Sequence, residues 1–421
     1  MKTNTKEYKG LYIHYTMHQT NKFDLDLDTK NEKIIEKIIK VNENGYKILK
    51  YDEKYVCDND ENLGKYRSIV LSDTEGRMLC YSPPKSITLE LFKERYPKLT
   101  SDILVNEVIE GTMISLFWDD RIDQWEIATK GSVGGNYWFY RTKYPQVNKS
   151  MEQITFRRMF LDALRASPEQ DLNDLALLDS LPKGNPTNRI CYNFVLQHPE
   201  NPIVLVVEHP RLFLVSVYEI LSSIDRVIYV DPDTYYAWNV WDEFAGMIEF
   251  PSEDYDTTNG YDAIQSNYCA KTSNANIVGV MITNIKNGDR TCIENAAYAE
   301  KKELRGNNPN LQYEYLCLKK IDKVEEFVNT FPNFKKCFFR FHKQYEEYVT
   351  QLHQSYFSYY VKKSNQNISK KYFQMIYKLH HEVYLPSLAG EKKIMKRSEV
   401  KKWLIDMPPS EVIYYLNYED T

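Results

Sequence analysis

Along this chain the spacing of apolar residues changes register, and each register predicts a different kind of element. From Tyr66 to Leu316 the apolar positions come in short β-branched or aromatic runs closed by Gly, Pro, Asn or Asp, which is the pattern of strands. The runs cover 68–71, 77–81, 112–118, 125–128, 192–196, 203–207 and 212–217. Asp73-Thr74-Glu75-Gly76 and Lys286-Asn287-Gly288-Asp289 read as hairpin turns, the second more strongly because Asn-Gly tolerates positive φ. One helix interrupts the strands, with Phe156, Met159, Phe160 and Leu164 on one face. Before this region Ile34, Ile35, Ile38 and Ile39 fall at helical spacing with charges opposite, and predict a helix. Past Leu316 the period is helical. Tyr345, Tyr348, Val349, Leu352 and Tyr356 form one stripe, Ser369 caps a helix carrying Phe373, Ile376, Tyr377 and His380, and Ser398 caps one carrying Val400, Trp403 and Leu404. The expectation is an α+β fold in three parts: a helix-containing segment 1–60, an antiparallel-sheet body 61–316 and an all-α domain 317–421.

Composition narrows the class. With 43% hydrophobic residues the 421-residue chain has enough for at least one large core. No apolar run reaches the ~18 residues of a spanning helix, and the polar, lysine-rich start 1–9 lacks a signal peptide's apolar stretch, so a cytoplasmic protein is expected. Seven cysteines without a CxxC pair argue against a disulfide framework and a structural zinc site. Net charge is −5 overall but uneven: residues 317–421 carry +6 and residues 1–316 carry −11. A basic, tyrosine-rich tail on an acidic body suits contact with a polyanion, although a solvated helical surface has the same composition.

Candidate chemistry lies in an ordered set of short segments: Tyr66-Arg67-Ser68-Ile69-Val70, Ser82-Pro83-Pro84-Lys85-Ser86, Glu110-Gly111-Thr112-Met113-Ile114, Lys130-Gly131-Ser132, Tyr192-Asn193-Phe194-Val195, and the hairpin strands at Val278-Gly279 and Cys292-Ile293-Glu294. In this order they resemble the adenylyltransferase domain of phage-type ATP-dependent RNA ligases over roughly Tyr66 to Glu300. More loosely, they resemble RNA-ligase-like proteins of large DNA viruses, with Leu196-Gln197-His198-Pro199 as added support; a viral source would place the protein in host cytoplasm. The resemblance implies a nucleotidyltransferase fold of the RNA/DNA ligase type with a helical C-terminal domain. It implies ATP and Mg2+ as cofactors of an active enzyme, and RNA, as single-stranded ends or tRNA, as partner.

The chain also departs from that pattern. Val108-Ile109-Glu110-Gly111 stands where the family has KxDG, so the lysine that would become a lysyl-AMP is replaced by Val108. Asn193 stands for a carboxylate, Val278 for a glutamate, and Cys292 and Glu294 for two lysines. What remains as a phosphate site is Arg67, Lys130, Glu110 and Gly111, with Lys85, set in extended backbone by two prolines, as a substitute nucleophile. Lys85 and Lys130 as plain surface lysines and Gly111 as a turn glycine are the ordinary alternatives. Three functions stay open: an RNA ligase with altered motifs acting on RNA ends, a catalytically inactive pseudo-ligase that binds RNA or serves as a structural or interaction protein, and a capping-type guanylyltransferase. No phosphate-loop, dinucleotide-binding, HExxH or GxSxG motif occurs, and His380-His381 has no matching ligand set.

Overall fold

The computed structural model describes residues 22–24, 31–56, 62–139, 154–221, 226–274, 276–364, 368–390 and 393–418. Segment 1–9 and Cys57 lie outside the described residues. The largest sheet is built from β1 (Lys22–Asp24), β7 (Thr112–Asp119), β8 (Gln124–Thr129), β9 (Ser132–Val133), β10 (Gly184–Asn185), β11 (Asn188–Gln197), β12 (Arg211–Leu221), β13 (Arg226–Tyr229) and β14 (Ile248–Glu249). Its strands run β1-β13-β12-β11-β7-β8-β9, antiparallel throughout, with β10 on β11 and a short parallel β14 on β12. A second sheet takes β2 (Ile34–Val41), β3 (Asn44–Tyr51), β4 (Ile69–Ser72) and β5 (Met78–Tyr81) in that order. A third orders β16 (Arg290–Glu294), β15 (Gly279–Asn284) and β6 (Ile103–Glu107).

The large sheet is buried on both faces. One face packs on the second sheet through Phe117, Cys191, Tyr218 and Ile220 against Tyr46, Ile48, Ile69 and Met78. The other carries Leu116, Trp125, Tyr192 and Leu214 against α2 (Phe156–Ala163), whose Phe156, Met159 and Phe160 are buried as the periodicity predicts. The third sheet presents Val105, Val280, Ile282 and Ile293 to α1 (Leu89–Arg95) and α4 (Gly260–Tyr268). Period-2 alternation therefore leaves its opposite face, with Asn106, Met281, Thr283, Arg290 and Cys292, turned away from that core. α3 (Pro232–Tyr236) follows β13.

After β16 every element among the described residues is helical: α5 (Ala296–Arg305), α6 (Leu311–Lys320), α7 (Val324–Thr330), α8 (Lys335–Tyr356), α9 (Lys370–Leu379), α10 (Arg397–Asp406) and α11 (Pro409–Leu416). Asn295 caps the first of these by accepting from the amides of Ala297 and Tyr298. The helical run thus starts at Ala296, and residue 317 falls inside α6. The α8 stripe of Tyr345, Tyr348, Val349, Leu352 and Tyr356 is wholly buried in a core that also takes in Val204, Val278 and Tyr298 of the body.

Three expectations need correction. Residues 34–41 form an edge strand and not a helix, because the isoleucine run has more β-branching than helical capping. Asn42, at φ +52, turns it directly into β3, leaving Ile38 exposed. Residues 203–207 form no strand, since the amides of Val204 and Leu205 go to a carboxylate, that of Glu110. Ser369 does cap α9, but Lys396 and not Ser398 precedes α10.

Candidate functional site

Between the large sheet and the inward face of the third sheet lies a cavity of about 220 Å³. Each wall follows from local structure. β6, β15 and β16 present Asn106, Met281, Thr283 and Arg290. β12 carries a bulge opposite Asn193 and Phe194, with Val215 as the extra residue, so Val215 and Ser216 both reach the cavity where strict alternation would send one away. Tyr218 and Tyr229 close the same side, Arg67 enters from the loop before β4, and the 108–111 segment forms another wall. Gly111 has φ +156, and a Cβ there would stand 2.5 Å from the carbonyl oxygen of Leu196, so glycine alone lets this segment lie against β11.

Several polar atoms at this space lack partners. Arg67 Nη1, Arg290 Nε and Asn106 Oδ1 are buried and make no hydrogen bond to any described residue, and neither does the nearby Ser82 Oγ. Neither arginine has a carboxylate partner among the described residues, and Glu107 is the one acid of the lining, within 3.5 Å of the Ser252 amide. Burial first, and the like charge of Arg290 second, push the Arg67 guanidinium down to about 10. Burial also lowers Arg290, which Tyr218, Cys292, Tyr229 and Tyr81 offset in part. The rings of Tyr81, Tyr218 and Tyr229 meet edge to face at 5.0 and 5.5 Å. Burial holds all three phenols above their ordinary range, so at neutral pH they stay protonated and able to donate. Two guanidinium groups with buried nitrogens and no carboxylate beside them repel each other, and an anion is the ligand class that offsets that cost.

Of the residues singled out from sequence, the structure brings Arg67 and Gly111 together at this cavity, with Val108 beside them. The others lie elsewhere. Glu110 is buried, and its carboxylate accepts from Val204 N at 3.1 Å, Leu205 N at 3.0 Å and Tyr298 Oη at 2.7 Å, so it is used up as an internal clamp. Lys130 sits exposed in the β8–β9 turn, bonded to Glu53 at 2.8 Å and over the Tyr51 ring at 4.8 Å. Lys85 is half-buried, its amide bonded to the Gly64 carbonyl at 2.9 Å, and it is not part of the cavity lining. Asn193 bonds Ser115 and the Tyr81 carbonyl, tying β11 to β7 and β5. Glu294 pairs with Lys302 at 2.6 Å, and burial pushes the Cys292 thiol up to about 11, so neither supplies a cation.

Arg290 is a cavity-lining residue that sequence reading missed. The signal was present: on β16 it alternates in phase with Cys292 and Glu294, opposite the apolar-facing Thr291 and Ile293. No arrangement of three or more His, Cys, Asp or Glu side chains suited to a metal ion occurs among the described residues.

No known family model matches the chain, and no curated protein matches its sequence. Among solved structures, a protein assigned as an ATP-dependent DNA ligase from Aquifex aeolicus is similar at TM-score 0.38 and 12% identity, over 75% of this chain and 70% of that one. Naegleria gruberi RNA ligase with PPi aligns at TM-score 0.32 and 10% identity, over 53% of this chain and 58% of that one. A lysine-to-alanine mutant of the Naegleria gruberi RNA ligase, with ATP and Mn, aligns at TM-score 0.31 and 9% identity, over 64% of this chain and 79% of that one.

Proposed function

We propose that the cavity binds the phosphate of a nucleotide or of an RNA 5′ end, in a chain that does not form a lysyl-nucleotide. The observation that carries this is the pair Arg67 and Arg290, both half-buried with one guanidinium nitrogen each fully out of solvent, both facing the cavity and neither matched by a carboxylate among the described residues. A phosphate oxygen satisfies guanidinium N–H, hydroxyl and phenol donors together, and its charge removes the cost of burying two like charges. The lining holds no lysine, so an α-phosphate seated on the arginines meets no amine to attack it. The donor set fits an anion better than a divalent metal, because Glu107 is the only acidic ligand at hand and magnesium prefers oxygen donors. In this reading the arginines do the charge neutralisation that magnesium performs in a ligase, and the chain is a degenerate member of the ligase-like nucleotidyltransferases.

The test has two parts. Binding of ATP, AMP and 5′-phosphorylated oligoribonucleotide is measured by calorimetry on the wild type and on Arg67→Gln and Arg290→Gln. Binding that needs the phosphate and drops at least tenfold in each variant supports the proposal. Separately, the protein is incubated with magnesium and α-labelled ATP or GTP. An acid-labile adduct from ATP that disappears in Lys85→Ala would overturn the binding-only reading in favour of ligase-type transfer, and an adduct from GTP alone would favour capping chemistry.

A further inference from the structure

The helical part of the chain carries a second surface with chemistry of its own. Between Glu347 and Glu382 there are five lysines, eight tyrosines and phenylalanines, and no acid. On α9 the buried face is Met375, Ile376 and Leu379, while Phe373 and Tyr377, one turn apart, are 49% and 56% exposed. α11 runs beside it, joined by Tyr415 Oη to Gln374 at 2.9 Å and by the Lys378–Glu411 pair. Together they enclose an open groove of about 400 Å³ whose walls are Phe373, Gln374, Tyr414 and Tyr418, with Lys370 at its lip. Tyr414 is 54% exposed and touches Tyr418 edge to face at 5.8 Å, and Tyr359, also exposed, meets Phe373 in the same way at 6.0 Å.

The rings are therefore half in water on a face where burial was available to their neighbours. Of the nearby acids among the described residues, Glu411 pairs with Lys378 and Glu382 accepts from Trp403 Nε1, while Lys362, Lys363 and Lys370 stand exposed and make no ion pair with a described residue. Exposed aromatic faces spaced along a groove with Lys370 at its edge match an alternation of flat rings and negative charges in the partner. A single nucleic-acid strand has that alternation; a duplex hides its bases, and an acidic peptide lacks the rings.

We propose that the α9–α11 face binds single-stranded nucleic acid, with bases stacked on Phe373 and Tyr414 and backbone phosphates on Lys370, Lys362 and Lys363. This surface does not depend on the cavity, and the probe is chosen to separate them. Fluorescence anisotropy is read with a labelled single-stranded oligonucleotide ending in a 5′-hydroxyl, so that no terminal phosphate is offered to Arg67 and Arg290. The full chain binds, with affinity falling as salt rises. Phe373→Ala and Tyr414→Ala each weaken binding by about fivefold or more at unchanged melting temperature, and Phe373→Trp restores it. The Arg67→Gln/Arg290→Gln double variant binds as the wild type does. Three results would overturn the proposal: ring variants that bind like the wild type, an equal affinity for a duplex of the same sequence, or binding by the same face to phosphatidylserine vesicles with none to the oligonucleotide.

Discussion

Replacing Arg290 by Met gives the sharpest separation of stability from binding. The wild-type cavity holds two cations that nothing described neutralises, and one consequence is the depressed Arg67. Its fall from the ordinary arginine range to about 10, at about 1.36 kcal/mol per pH unit, amounts to ~3 kcal/mol against the charged folded state at neutral pH. A cation with a lowered folded value weighs against folding at every pH below that value, and the penalty fades as pH rises above about 10 toward the ordinary arginine value. Arg290→Met removes its own burial cost and the repulsion it exerts on Arg67, while a similar side-chain volume keeps the strand packed. The ligand-free variant is expected to gain about 1–3 kcal/mol in urea unfolding. In the presence of pyrophosphate at a hundred times the wild-type dissociation constant, the wild type gains about 2.7 kcal/mol and a variant weakened at least tenfold gains about 1.4 kcal/mol or less. The reasoning is refuted by a ligand-free variant more than about 2 kcal/mol less stable than the wild type, because Arg290 would then be a structural member of the core. Retention of the full pyrophosphate response would refute it as well.

Further outcomes follow from the same geometry. Gly111→Ala places a methyl 2.5 Å from the Leu196 carbonyl oxygen at φ +156, and should cost about 2–4 kcal/mol in chemical denaturation; a neutral result would mean that β11 yields freely. Glu110→Leu strands two amides and the Tyr298 hydroxyl, so a loss of roughly 3 kcal/mol and early proteolysis within 203–207 are expected, and intact protease resistance would count against the clamp. Burial lowers His198 below its ordinary 6.5, with Asp162 3.5 Å away opposing the shift only in part. Because the unfolded chain then takes up the proton first, this residue's contribution to stability falls as pH drops below about 6.5; His198→Gln should flatten that part of the profile relative to wild type, and parallel profiles would exclude it.

The strands were legible where alternation and turn chemistry agreed. Around Asp73–Gly76 and Asn287-Gly288 the positive-φ glycines sit where the turns demand them, and β4, β5, β15 and β16 follow. Spacing failed at Ile34–Ile39 because four isoleucines separated by two charged residues satisfy helical and extended templates equally, and only the partner strand β3 decides between them. It failed at 203–207 because the deciding group, the Glu110 carboxylate, lies 94 residues away from Val204 in the chain. The site was half legible for a similar reason. Arg67 and Gly111 could be placed by their order along the chain, whereas Arg290, Ser216 and Asn106 meet only because a bulge in β12 and the stacking of the third sheet bring them to one space. Lys85 and Lys130, chosen for their charge, are in the right order along the sequence, but their turns carry them away from the cavity lining.

The Glu110 clamp has a kinetic consequence. The wall segment 108–111 is anchored at one end by Val108 N to the Gly279 carbonyl and at the other by three donors converging on one carboxylate. A ligand arriving in the cavity meets backbone that is already set, and little chain entropy remains to be lost on that side. Association should then be a single, concentration-linear step without a slow ordering phase, and the lifetime of the complex, more than its rate of formation, should carry the differences between ligands.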